Sequence, residues 1–514
     1  NNQNGVVVGG SGTVVRSADG PIDIDGTGGP TATGTDNDGV RIEDGALVDA
    51  TGTATITIDG TGAGVTSTFG NDGVDIDGLD TRVRSASGMI TITGTGGGST
   101  GGNAGVHQTS ATVLSTSGNI LFEGLGGAEG DGIFIDAADV LSTSGNIELR
   151  GTGPNDDPLT HGVSIAPDSI IETMGAGNIT ILGTGGTDAD NSNDDDGVAI
   201  SGTAGSPTVI RVADGDITIT GTSQSAAGVF LDDVTVSVTG AGNVDIDGTA
   251  TGTSTGDGVF ITGDDLSTSH TTITTVGGNI SIDGTADVAS ADNGVLLFDG
   301  ELTSTSGTIS ITGTSAGVGQ ANDGVRLADS RITTTSSPIN INGTATGEGA
   351  GVDLTGADQT LPDSRTTVSS TSGPITIQGT ATSTTSDDGI EIEESLVTTS
   401  GDIVLNGSAA GDDGVDVVSG TIRTTGAGTI AITGTGTGAS GDDGVELEAT
   451  LPMVILVETA GTGSITLQGT AGNGANNQNG VVVGGSGTVV RSADGPIDID
   501  GTGGPTATGT DNDG

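Results

Sequence analysis

The chain has 514 residues, of which 99 are glycine and only six phenylalanine, with no tryptophan, tyrosine or cysteine, and its formal charge is −56. A globular core of this length draws on many aromatic side chains, so the composition excludes a string of ordinary domains and predicts a thin core of Val, Ile, Leu and Ala. The 67 Asp and Glu face 11 basic residues, all Arg, which excludes nucleic acid as a partner because phosphate recognition needs clustered cations; no membrane span is expected, and disulfide staples are excluded.

From the N-terminus, the first feature is a duplication. Residues 1–39 and 476–514 are identical letter for letter. The duplication predicts a tandem array, with 1–475 as one super-repeat and 476–514 as the start of the next. Asn1 opens without an initiator methionine or a signal-like stretch, so the chain is expected to be an internal piece of something longer.

A shorter period runs inside the long one. Apolar alternation closed by glycine, as in Ile90-Thr91-Ile92-Thr93-Gly94-Thr95, recurs from Ile22 to Ile497. Its uneven period of roughly 30 residues marks a repeat architecture. Each repeat holds two further apolar runs. One follows a glycine, as in Gly73-Val74-Asp75-Ile76 and Gly258-Val259-Phe260-Ile261. The other is rich in Ser and Thr, as in Val113-Leu114-Ser115-Thr116-Ser117-Gly118. All three runs have the two-residue period of strands, and Gly, Asn or Asp bounds each, as tight left-handed corners require.

These signals predict an all-β fold: a parallel β-solenoid (right-handed β-helix by the usual hand of parallel crossovers), with three short strands per coil and about 15–16 coils. The segment from each Gly-Thr pair to the next strand-opening Gly varies in length, running from Thr27 to Gly39 in one repeat but only from Thr222 to Gly228 in another. Variable loops are therefore expected on one corner, where binding would be placed.

Acidic groups cluster just before the strand-opening glycines: Asp36 and Asp38, Asp194, Asp195 and Asp196, Asp387 and Asp388, Asp412 and Asp413, Asp442 and Asp443. Carboxylates on glycine-bearing loops are ligands that Ca²⁺ prefers, and stacking would bring them within about 5 Å along the axis. Ca²⁺ is the cofactor expected there, although no stretch fits a nonapeptide calcium repeat or an EF-hand loop; the alternative is that they are solvated turn residues. On the first strand, the inward position of Val229 and Leu231 turns Phe230 outward, and by the same alternation Phe134, Phe260 and Leu296. These four define a predicted lateral contact, with Phe230, Phe260 and Leu296 as an apolar stripe; the alternative is that a corner loop covers it. Outward threonines such as Thr91, Thr93, Thr218 and Thr220 share their positions with Asp23, Asp25, Glu148, Arg150, Asp245 and Asp247, which argues against a flat ice-binding array. His107, His161 and His270 fall in unrelated parts of the repeat, so no catalytic residues and no enzyme activity are expected.

The phrases Ser-Thr-Ser-Gly-Asn-Ile, Ile-x-Ile-x-Gly-Thr-Gly and Asp-Gly-Val together resemble the repeat arrays of filamentous-haemagglutinin-like bacterial surface proteins and related extracellular β-solenoid adhesins. The resemblance implies export to the cell surface, a rod-like right-handed β-helix, and adhesion or matrix roles. The expected partners are further copies of the array end to end, bundled neighbours, and a surface glycan or protein. The expected function is a structural fibre segment, with a glycan- or protein-binding module that uses the acidic loops as the alternative.

Overall fold

A computed structural model describes residues 3–29, 35–64, 70–98, 101–154, 160–187, 195–252, 256–265, 269–288, 292–317, 322–356, 365–385, 387–438, 442–449, 452–472 and 478–504. Among the described residues every regular element is a strand. The chain divides into two compact units, Asn1–Gly256 and Asp257–Gly514.

The first unit is a parallel β-solenoid of the right-handed type. One of its coils comprises Val74–Asp77, Arg82–Ser85 and Ile90–Thr95. Each strand pairs in parallel with its counterpart one coil on: Val106–Thr109, Thr112–Ser115 and Ile120–Leu125. The register is set by the apolar alternation, because a one-residue slip would turn every Ile and Val to solvent. Thus Ile90 pairs with Ile120, and Ile120 with Ile147. Eight strands per sheet give eight triplets and seven complete turns. The core is built of aliphatic ladders from all three sheets; Val74, Val106, Ile133, Val163, Val198 and Val229, one such ladder, are all 0% exposed. Phe122 lies between Ile92 and Leu149 in the third sheet and is the largest fully buried side chain. Each such residue contributes roughly 1.5–3 kcal/mol on burial.

The second unit repeats this plan, again with eight triplets and seven turns, so the sixteen triplets contain 14 complete turns within the units. Val295–Phe298, Glu301–Ser304 and Ile309–Ser315 form one of its coils. Its sheets are parallel, apart from a corner insertion in which Val259–Asp265 pairs antiparallel with Ser269–His270. The third-sheet ladder through Ile280, Ile309, Ile339, Ile375, Ile403 and Ile430 is fully buried.

The glycines of the two recurring phrases differ from the left-handed corner role expected of them. Gly313 in a third strand and Gly324 at the next strand opening do not have positive φ. They are glycine because the chain folds back on itself there. A methyl at Gly313 would lie 1.8 Å from the Gly324 carbonyl oxygen, and one at Gly324 would meet the backbone of Gly343 and Thr344. Close backbone approach, not turn geometry, selects the residue.

Candidate cation sites and the outer face of the first sheet

Where the residue before a strand-opening glycine is Asp, Asn or His, it builds a hydrogen-bond ladder, which Ala104 and Ala227 interrupt. The side chain accepts the backbone amide of the same position one coil on. In the first unit Asn4 Oδ1 accepts Asp38 N at 3.0 Å, Asp38 Oδ1 accepts Asp72 N at 3.1 Å, and Asp72 Oδ1 accepts Ala104 N at 2.7 Å. Asp131 Oδ1 accepts His161 N at 2.7 Å, His161 Nδ1 accepts Asp196 N at 3.1 Å, and Asp196 Oδ1 accepts Ala227 N at 2.8 Å. In the second unit Asp388, Asp413 and Asp443 continue the pattern at 2.9, 2.5 and 2.6 Å. A second ladder explains the Gly-Asn-Ile phrase: Asn119 accepts Asn146 N, Asn146 accepts Asn178 N, and Asn178 accepts Asp216 N, at 2.9–3.0 Å. These bonds satisfy corner amides that the sheets leave over.

The acidic residues singled out from the sequence therefore divide. Asp38, Asp196, Asp388, Asp413 and Asp443 belong to the ladder, each through its Oδ1. Asp195 is fully buried; its Oδ1 accepts Thr160 N and its Oδ2 accepts the Ser225 hydroxyl. Asp442 accepts from Gln478 Nε2 at 3.3 Å, and Asp387 from the Thr385 hydroxyl at 3.1 Å. Asp36 is in left-handed backbone with φ 56°. Asp194 lies outside the described residues. Two groups bring donor oxygens within 4.8 Å of one another: Asp388, Asp412 and Asp413, and Asp413, Asp443 and Glu446.

Beside them runs an acidic column on the outer face of the first sheet. Asp353, Glu391, Asp416 and Glu446 pair in succession, with Arg326 at the head of the column. Burial first, then neighbouring carboxylates, pushes Glu391 up to about 7 and Asp416 up to about 8. Burial and a hydrogen bond with Glu446 hold Asp413 far above the usual carboxyl range. Asp323, Arg326, Asp353, Asp388 and Glu391 line a shallow cleft at the head of the column.

The first unit places a different set at the same outward position. Arg41, Asp75, His107 and Phe134 stand on four successive coils. Arg41 lies 3.4 Å from both Asp38 and Asp75, and its Nε donates to Glu43 at 2.6 Å. Asp72, Asp75 and His107 bring two carboxylate oxygens and an imidazole nitrogen within 4.8 Å of one another. Burial is the largest influence on Asp38 and Asp75, raising them to about 8 and about 7. For His107 burial opposes the charge, but the hydrogen bond and charge of Asp72, with Asp75 and Asp77, outweigh it and carry the imidazole to about 9. None of this was picked out from the sequence alone, although Asp75 and His107 occupy one position of the repeat.

Of the expected apolar stripe, Phe134 and Phe230 in the first unit and Phe260 and Leu296 in the second are all half-buried. Phe134 stacks on His107 with ring centroids 5.3 Å apart. Phe260 pairs with Leu296, and Leu296 with Arg326. Among the described residues no helix is long and apolar enough to cross a membrane. No family profile, curated protein or solved structure matches the chain.

Proposed function

We propose that this chain is a structural segment of an extracellular fibre or giant surface adhesin built from tandem β-solenoid repeats. It spans distance and mediates adhesion or filament assembly, and it carries no catalytic chemistry. The observation behind this reading is that the duplicated sequence is paired on opposite sides in its two copies. Near the N-terminus, Val6–Gly9 and Ile22–Thr27 pair with the following coil at Val40–Glu43 and Ile56–Thr61. In the later copy, Val481–Gly484 and Ile497–Thr502 pair with the preceding coil at Val445–Glu448 and Ile465–Thr470. One sequence thus fits a neighbour on each face, as a coil inside an array must.

The charges agree. Arg16 donates to Asp49, which also binds Arg84, at 2.7 and 2.6 Å. Its duplicate Arg491 donates to Glu458 at 2.8–2.9 Å, and Glu458 also takes Arg423 at 3.0 Å. Superposing the copies yields an alternating series Arg423, Glu458, Arg491, Asp49, Arg84 across the joint between super-repeats. Ca²⁺ is the counter-ion this reading places on Asp388, Asp412, Asp413 and Asp443, where like charges stack.

Electron microscopy of a chain carrying two copies of residues 1–475 followed by 476–514 tests the proposal. Each copy should add 15 coils at about 4.8 Å, roughly 70 Å, to one continuous particle. Two bodies hinged at the joint would overturn the array. Antibody to the chain should label intact source cells; label confined to permeabilised cells would overturn the extracellular placement.

A further inference from the structure

We propose that Asp72, Asp75 and His107 form a three-ligand site for a divalent first-row transition metal, represented by Zn²⁺, with a remaining position open to solvent. This is independent of the fibre reading and of the all-oxygen Ca²⁺ positions.

The donor set is mixed, one imidazole nitrogen and two carboxylate oxygens, which suits Zn²⁺ and its neighbours better than Ca²⁺. The spacing is already close to that of a coordination sphere. His107 Nδ1 lies 3.2 Å from Asp72 Oδ2 and 3.6 Å from Asp75 Oδ1. Two ligands at about 2.1 Å from a common metal, at right to tetrahedral angles, are separated by roughly 3.0–3.4 Å.

A second observation concerns Asp75 Oδ1. It is buried, with the residue 4% exposed, and no hydrogen-bond donor reaches it. Arg41 lies beside the other oxygen, Oδ2, at 3.4 Å, so Oδ1 is the oxygen turned toward His107. A buried carboxylate oxygen without a donor is costly, and a metal ion there satisfies it.

The surroundings orient the ligands as outer-shell groups do. Asp72 Oδ1 is held by the Ala104 amide at 2.7 Å, which turns Oδ2 toward the imidazole. His107 Nε2 lies 2.7 Å from the Thr109 hydroxyl; a metal ion displaces the proton that Nδ1 shares with Asp72, and with the remaining proton on Nε2 the Nδ1 lone pair faces the same point as the two carboxylates. Phe134 stacks against the ring and fixes its plane. Asp38, Glu43, Asp75 and Asp77 surround one guanidinium, Arg41, and with Asp72 they make the local field favour a further cation. The His107 side chain is 29% exposed and those of Asp72 and Asp75 6% each, so solvent reaches the site past the imidazole. His161 offers a contrast: its Nδ1 accepts the Asp196 amide at 3.1 Å.

The test uses the full chain labelled with ¹⁵N-histidine, which contains three imidazoles, in excess Ca²⁺ to fill oxygen-only positions. Zn²⁺ should shift the Nδ1 resonance of one imidazole at one equivalent, and Co²⁺ should give visible d–d bands that Zn²⁺ abolishes. His107→Gln and Asp75→Asn should each weaken Co²⁺ binding by more than the ~10–100-fold typical of outer-shell changes, whereas His161→Gln should leave it intact. The wild-type histidine spectrum decides the matter even where a variant fails to fold. A shift at another imidazole, no shift at all, or d–d bands unchanged in His107→Gln would overturn the site.

Discussion

Replacing Gly313 by alanine should damage the second unit far more than the addition of one methyl suggests. That methyl would sit 1.8 Å from the Gly324 carbonyl oxygen, 2.7 Å from its carbon and 2.8 Å from Val325 Cγ2. Real Cβ contacts essentially never fall below 3.0 Å, so the two backbones would have to part by more than an ångström. Neither side yields easily: Gly313 is paired on both faces, with Gly284 and Gly343, and the Gly324 carbonyl accepts Val295 N at 3.1 Å. Overpacking costs about 1–3 kcal/mol, and a weakened backbone hydrogen bond adds about 1 kcal/mol. Roughly 2–4 kcal/mol of local destabilisation follows. Far-UV circular dichroism should show a melting point lowered by roughly 5–15 °C, and hydrogen exchange should quicken around residues 309–325. Gly20→Ala, with only Ser17 Oγ at 3.5 Å from the added methyl, should change stability by less than about 0.5 kcal/mol. If Gly313→Ala melts and exchanges like the parent, the close-approach argument is wrong.

Four other outcomes can be checked. Phe122→Ala, at a fully buried ladder position, should cost about 3–5 kcal/mol and show it as faster hydrogen exchange in the flanking coils. Asp388→Asn keeps an acceptor for Asp413 N and removes a charge, so it should melt no lower than the parent at pH 8, whereas Asp388→Ala should lose about 1–3 kcal/mol. In chelator, stability should fall as pH rises. Glu391, Asp412, Asp416 and Asp443 are raised to about 7, 6, 8 and 6, burial being the first cause. The folded state therefore holds extra protons above pH ~4, and stability drains as pH passes through about 6 to 8. Ca²⁺ at pH 8 and constant ionic strength should restore the melting point; a flat or rising pH profile would defeat this reasoning. Finally, Phe260→Ser with Leu296→Ser should abolish any side-by-side bundling seen by electron microscopy while single particles persist, if that face is a lateral contact.

The architecture was legible because its signals are local and repeated. Ile90, Ile92 and Gly94 mark a strand and its inward face, and the recurrence of that phrase sets which strands pair. The acidic residues were harder. Asp38 and Asp388 stand before glycines or their near neighbours, where turn chemistry is the natural reading, and only the pairing of coils shows that each accepts the amide of a residue 34 or 25 positions away. His107 meets Asp72 and Asp75 for the same reason: adjacency between coils follows no fixed sequence spacing when loops vary. The glycines at 313 and 324 looked like corner residues because loops lie beside them, whereas the contact that demands Gly313 is with the backbone of Gly324 itself, across the intervening loop.

The amide-accepting ladder has a consequence for how such a chain can change over generations. Its geometry asks only for a side-chain acceptor one carbon beyond Cβ, and both Asp and Asn serve: Asn4 and Asn293 accept the following coil's amide at 3.0 Å, as Asp38 does at 3.1 Å. Interchanging the two exchanges a titratable group for a neutral one while leaving the corner hydrogen bond in place. Titratable charge is thus an adjustable property of this scaffold, open to drift or selection without any revision of the fold.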